Sequence, residues 1–176
     1  MNDMTTQNIE RHCLAVLVDN EPGVLARVVG LFSGRGYNIE SLTVAEVDKA
    51  TAQSRITIAT SGPPEVITQI CAQLGRLVPV RNVVDLTTAC DHVERELALI
   101  KVVNKGMDRI EAMRLSEVFR ARIIDATTES LVLEITGNSG KIDSFIALMQ
   151  PIGMVEIVRT GVAGMSRGPD FLKQRQ

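Results

Sequence analysis

One pattern of apolar residues runs through this 176-residue chain twice. A short apolar run over residues 12–18 leads into a helical stripe over 23–34, where Leu25, Val28, Val29 and Phe32 recur three and four residues apart. Two strand-length runs follow, 38–47 and 53–60, joined by the polar, hairpin-like Asp48-Lys49-Ala50-Thr51. The breaker Gly62-Pro63-Pro64 opens a second helical stripe over 64–75, carrying Val66, Ile67, Ile70, Cys71 and Leu74, and a strand over 78–87 closes the set. The second half repeats the order. It reads as strand 95–103, helix 107–120 with a stripe of Ile110, Met113, Val118 and Phe119, and strands 121–127 and 130–136. A helix over 139–150 with Ile142, Phe145, Ile146 and Met149, and a strand over 153–160, complete it.

A repeat of about 70 residues is longer than a solenoid unit. This order specifies an α+β fold of two tandem ferredoxin-like βαββαβ domains, each an antiparallel four-stranded sheet with two helices on one face. The first domain is expected over residues 10–88 and the second over 95–164, with the boundary inside 89–95. The chain from Gly161 reads as irregular, with residues 165–176 as a tail. Such a topology leaves one sheet face bare and two strands at the edges, and both invite pairing with a second copy. A homodimer is therefore expected.

The two repeats differ at one place. Between the first strand and first helix stands Asp19-Asn20-Glu21-Pro22-Gly23. A strand-to-helix turn directs unpaired backbone N–H groups and the positive end of the helix dipole outward, which suits a phosphate or the carboxylate of an amino acid. Each residue also has a plain structural role. Asn20 reads as a helix cap, Glu21 complements the dipole, and Pro22 is tolerated in the first turn. Gly23, read as lying in the first helical turn, costs roughly 0.5–1 kcal/mol against alanine there. Its usual compensation is close approach of a ligand or a neighbouring strand. In the second repeat the matching stretch is Asn104-Lys105-Gly106-Met107-Asp108-Arg109, which lacks the acidic flank and places its glycine before the helix. The first repeat is thus read as the sensing unit, the second as one that packs or docks.

Composition narrows the chemistry. Net charge is −2 and aromatics make up 3% of the chain, with no Trp, which argues against nucleic-acid binding by a stacking sheet. No apolar run is long enough to span a membrane, and the first residues do not read as a signal peptide. Cys13, Cys71 and Cys90 form a scattered, odd set, which reads as reduced cysteine in the cytoplasm. His12 and His92 stand apart from the cysteines, so no metal site is expected. Ser33, Ser41 and Ser139 have no neighbouring base in the sequence, and Gly137-Asn138-Ser139-Gly140 lacks the lysine of a phosphate loop and reads as a cap. Asp19, Glu21, Glu40 and Glu46 are read as negative charge for an ammonium group, and no catalytic residue is assigned.

The run Asp19-Asn20-Glu21-Pro22-Gly23-Val24-Leu25-Ala26-Arg27-Val28, with Arg35-Gly36-Tyr37-Asn38-Ile39-Glu40-Ser41-Leu42, resembles the regulatory (small) subunits of acetohydroxyacid synthase, also called acetolactate synthase. His92-Val93-Glu94-Arg95-Glu96-Leu97, Phe119 to Asp125, Ser139 to Asp143, and Arg159 to Gly168 carry the resemblance through residues 10–168. The Asn-x-x-Gly-Val-Leu turn alone is shared by many ACT domains. The Tyr-Asn-Ile-Glu-Ser-Leu and Gly-Met-Ser-Arg-Gly runs are more specific.

The resemblance implies an N-terminal ACT domain, a second ferredoxin-like domain, a homodimer, and a separate thiamine-diphosphate catalytic subunit that the chain activates and makes sensitive to valine. It implies no cofactor for this chain, because the thiamine diphosphate, magnesium and flavin (FAD) belong to that catalytic partner. For valine it implies a site at Asn20, Gly23, Val24, Leu25, Asn38 and Ile39. The carboxylate would meet the amides of Gly23, Val24 and Leu25, and the ammonium would meet Asn20 and the backbone near Asn38. Leu25 and Ile39 would line the side-chain pocket, with Asn38 and Ile39 reaching the turn across a subunit boundary. The alternative is a free-standing ACT-type amino-acid sensor of another pathway.

Overall fold

The computed structural model describes residues 9–169 and residue 172. The chain forms two compact units, one built from the segment up to Val93 together with the segment from Ala163, the other from Glu94–Val162. In the first, the strands are β1 (Glu10–Asp19), β2 (Ser41–Asp48), β3 (Gln53–Gly62) and β4 (Val80–Asp85), all antiparallel in the order β2-β3-β1-β4. The helices are α1 (Val24–Ser33), α2 (Pro64–Leu74) and the single turn α3 (Leu86–Ala89). In the second, β5 (His92–Val103), β6 (Arg122–Ala126), β7 (Ser130–Gly137) and β8 (Met154–Arg159) stand in the order β6-β7-β5-β8, with α4 (Gly106–Phe119) and α5 (Ser139–Met149). The first two residues of β5 belong to the first unit. The orders are the same, as the repeated pattern requires.

Each unit has its own core. In the first, Leu14, Val16 and Val18 of β1 and Ile56 and Ile58 of β3 meet Val24, Val28 and Phe32 of α1 and Ile67, Ile70 and Leu74 of α2. In the second, Ala98, Ile100 and Val102 of β5 and Leu131, Leu133 and Ile135 of β7 meet Leu115 of α4 and Ile142, Phe145 and Met149 of α5. Each fully buried side chain of this size contributes about 1.5–3 kcal/mol against exposure.

Helix α1 stops in a left-handed glycine. Gly36 has φ 69°, the Tyr37 amide donates to the Phe32 carbonyl at 3.0 Å, and the Gly36 amide donates to Ser33 at 3.3 Å. This paired closure satisfies the last carbonyls of the helix. Gly34, at the C-cap position, keeps right-handed helical angles. At α5, Asn138 caps as its sequence suggests, its side chain accepting the Lys141 amide at 2.9 Å.

Three sequence expectations change here. In α1, Leu25 and Val29 are about one-third exposed, and Val24 takes the core position instead. In α4, Ile110, Met113 and Val118 face outward (Val118 is 65% exposed), while Ala112, Leu115 and Ser116 are buried. Apolar residues line both sides of that helix, so periodicity selected the wrong face, and small residues let the true inner face pack closely. The segment after Gly161 is not irregular throughout: Ala163–Ser166 form a ninth strand, β9, within the first unit. Gly164 is buried there, and a Cβ on it would meet Cys13 Sγ at 2.6 Å. Arg55 Nη2 donates to the Gly164 carbonyl at 2.7 Å, and the Arg167 amide donates to Asp91 at 2.8 Å.

Candidate functional site: the turn between β1 and α1

The turn is held at both ends. The Asp19 amide donates to Pro79 O at 2.8 Å, and the Asp19 carboxylate receives Arg81 in a two-pronged pair, with Nε to Oδ1 at 2.8 Å and Nη2 to Oδ2. The hydrogen bond and charge of Asp19 raise the Arg81 pKa above its usual value. The Asn20 amide donates to Ala52 O at 2.7 Å, which ties the turn to the β2–β3 hairpin. That hairpin is closed by Asp48, which accepts the Ala50 amide at 2.9 Å and the Thr51 hydroxyl at 2.7 Å. These bonds, that from the Thr51 hydroxyl first, hold the Asp48 pKa below its ordinary value.

Gly23 occupies the N-cap position of α1 with φ 85°, outside the helix proper. This corrects the reading of Gly23 as a first-turn helical residue and of Asn20 as the cap. Glycine is favoured at Gly23 because the left-handed region is strained for residues with a Cβ. The space above it is open: a Cβ there would meet nothing within 4 Å. No side chain caps the helix. Asn20 instead donates through Nδ2 to Glu46 Oε1 at 3.2 Å.

The amides can be accounted for individually. Val24 N donates to Glu21 O in a long 3.3 Å bond, and Arg27 N donates to Gly23 O at 3.1 Å. Among the described residues, the amides of Gly23, Leu25 and Ala26 have no protein acceptor. N–H groups left without acceptors at a helix start, at the positive end of the helix dipole, have the chemistry that suits an anion. Ala26 was not among the expected ligands. Its amide became visible once the cap was placed at Gly23.

Four of the six expected site residues, Asn20, Gly23, Val24 and Leu25, therefore share one end of the sheet. Asn38 and Ile39 do not join them within the chain. Asp19 pairs with Gln53, whereas the Asn38 carbonyl accepts the Thr60 hydroxyl at 2.6 Å, seven residues further along β3. At about 3.3 Å per residue the two groups stand roughly 23 Å apart. The acidic residues divide in the same way. Glu46 and Glu21 lie at the turn, while Glu40 lies at the far end with Arg11 and Ser61. Arg81, distant in sequence from Asp19, had no local signal.

Outside the turn the reactive groups are quiet. Cys13 is buried, and burial followed by the charge of Asp85 pushes the Cys71 thiol up to about 11, leaving little thiolate near neutral pH. His12 is buried, with Nδ1 2.8 Å from Asp85 Oδ2. Among the described residues no three His, Cys, Asp or Glu side chains gather as metal ligands would. Among the described residues no helix is long and apolar enough to cross a membrane.

Comparison with known proteins decides the family. A family model described as "AHAS small subunit-like ACT domain" matches residues 14–82, and one described as "Small subunit of acetolactate synthase" matches residues 95–168. The acetolactate synthase isozyme 3 small subunit of Escherichia coli is 47% identical over 164 residues, covering 93% of this chain and 99% of that protein. The chain belongs to the acetolactate synthase small-subunit family. A probable acetolactate synthase small subunit of Archaeoglobus fulgidus is 45% identical over 90% of this chain and 98% of its own length. The crystal structure of the Thermotoga maritima small subunit superposes with a TM-score of 0.81 at 40% identity, covering 92% of this chain and 99% of that one. The family model for the C-terminal part extends to residue 168 and so takes in β9, which the fold assigns to the first unit.

Proposed function

We propose that this small subunit activates the thiamine-diphosphate catalytic subunit of acetolactate synthase and makes it sensitive to valine, acting as a homodimer in the cytoplasm. The thiamine diphosphate, magnesium and FAD are assigned to the catalytic partner. The observation that carries the reading is the turn at Gly23, whose amides face open space beside Asn20 and Glu46. A free amino acid offers a carboxylate to the amides and an ammonium to the side-chain oxygens.

The separation of Asn38 from the turn supports a site shared between two copies. β2 is an edge strand with Val44 and Val47 exposed. Antiparallel pairing of β2 with β2 of a second copy about a two-fold axis sets the start of one strand against the end of the other. That places Asn38 and Ile39 of one copy near Glu46, Asn20 and the open turn of its mate. On α1, Leu25 and Val29 lie four residues apart on the flank away from Arg27 and Leu31, where they supply apolar surface for the valine side chain and the second copy. Binding at a shared site stabilises one dimer arrangement over another, with about 1.4 kcal/mol of differential affinity for each tenfold shift.

Calorimetric titration of valine, leucine and isoleucine, followed by synthase assays with the catalytic subunit, tests the reading. Gly23→Asp places a carboxylate where the ligand's carboxylate belongs. It should abolish valine binding while the chain still folds, since aspartate tolerates a left-handed backbone better than most residues. Undiminished valine inhibition in this variant would rule out the site. Valine binding with no effect of the chain on the synthase would favour a free-standing sensor.

A further inference from the structure

Alongside the core stripe of α1 runs a groove of about 490 Å³ that the valine reading does not use. It is lined by Arg27, Leu31, Arg35, Gln73, Arg76 and Leu77, with Arg27, Leu31 and Arg35 following one another at four-residue spacing. Three guanidinium groups thus border a strip made apolar by two leucines. Arg27 has a 3.4 Å contact with Glu21, and among the described residues neither Arg35 nor Arg76 has a carboxylate within ion-pair distance.

We infer that this groove receives an acidic, leucine-like segment of the catalytic subunit. Guanidinium groups take carboxylates in two-pronged pairs, and the leucines take apolar side chains. A peptide supplies both groups, whereas inorganic phosphate supplies only the first. Arginine is also enriched at protein interfaces relative to the rest of the surface, along with aromatic residues and methionine. The groove lies on the helix side of the sheet, so a partner seated there bears directly on α1, whose first amides form the valine turn. The inference rests on the reading of the chain as a small subunit that assembles with a catalytic one.

The test uses the full chain and the catalytic subunit of the same organism. Arg35→Glu with Arg76→Glu should weaken assembly at least tenfold by sedimentation or surface binding. The neutral pair Arg35→Gln with Arg76→Gln should weaken it less. Assembly of the wild type should fall as salt is raised, and that of the reversed variant should change little. Valine titration and thermal melting of the isolated variants should match the wild type, showing that they fold. If the reversed variant assembles as tightly as the wild type, the groove assignment fails while the function stands. If inorganic pyrophosphate binds the groove and reversal leaves assembly unchanged, the groove is a small-anion site and the inference falls. If the wild type does not assemble, the functional reading falls and this inference with it.

Discussion

The same strand-to-helix junction occurs twice in this molecule, and its side chains are engaged differently in the two units. In the first, left-handed Gly23 ends the turn and three amides face outward. In the second, Asn104 is buried and its Nδ2 donates to Ile152 O at 2.9 Å and Asp108 O at 3.3 Å. Arg109 donates to Thr127 O at 2.6 Å, and Lys105 pairs with Glu129 at 2.7 Å. The side chains of the second junction are tied to neighbouring carbonyls and a carboxylate, whereas Asn20 of the first reaches the exposed Glu46, and in neither junction does a side chain cap the helix. One scaffold thus carries two junctions that differ in a handful of residues, and a function proposed for either is argued from those residues rather than from the fold.

The contrast is sharpest at two glycines. Gly153 has φ 97°, and a Cβ on it would sit 2.5 Å from Val103 O. Gly153→Ala should destabilise the second unit by on the order of 3 kcal/mol or more, read by thermal unfolding, because left-handed strain and a backbone clash add. Gly23→Ala meets no atom and should cost only about 1–2 kcal/mol from strain. Equal losses at the two positions would break the comparison. Next in size is Asn104→Ala, which takes the donor from the Ile152 carbonyl and a second, longer bond from the Asp108 carbonyl. It should cost about 1–3 kcal/mol in chemical denaturation, and valine binding should be untouched.

The smallest effect concerns the hairpin behind the open turn. Hydrogen bonds hold the Asp48 pKa below its unfolded value, so its contribution to stability is present above the unfolded pKa, about 3.9. That contribution is lost as pH falls through the lower folded value. Thr51→Val removes the largest cause and should move the carboxyl titration upward, measured by NMR. An unmoved titration would show that the Ala50 and Thr51 amides suffice.

The repeated topology was legible because strands and helices bury apolar residues with different periods, and both halves keep those periods. The inner face of α4 was not, because Met107, Ile110, Met113 and Val118 carry apolar side chains on the outer surface. At the candidate site, the turn itself was legible from Asn20 to Leu25. The cap position was misread because a left-handed glycine before a helix and a right-handed one inside it share the same letter. Arg81, Glu46 and the Thr60 contact of Asn38 depend on pairings across the sheet, which local spacing does not encode.

Residues 163–168 cross back to rest on β1 and Arg55 after an intervening module has been completed. In connectivity terms, residues 94–162 are an insertion tethered at both ends, not a bead at the end of a string. A ribosome must therefore finish the inserted module before the host acquires its last strand. Clipping the chain near residue 160 should injure the half that was made first.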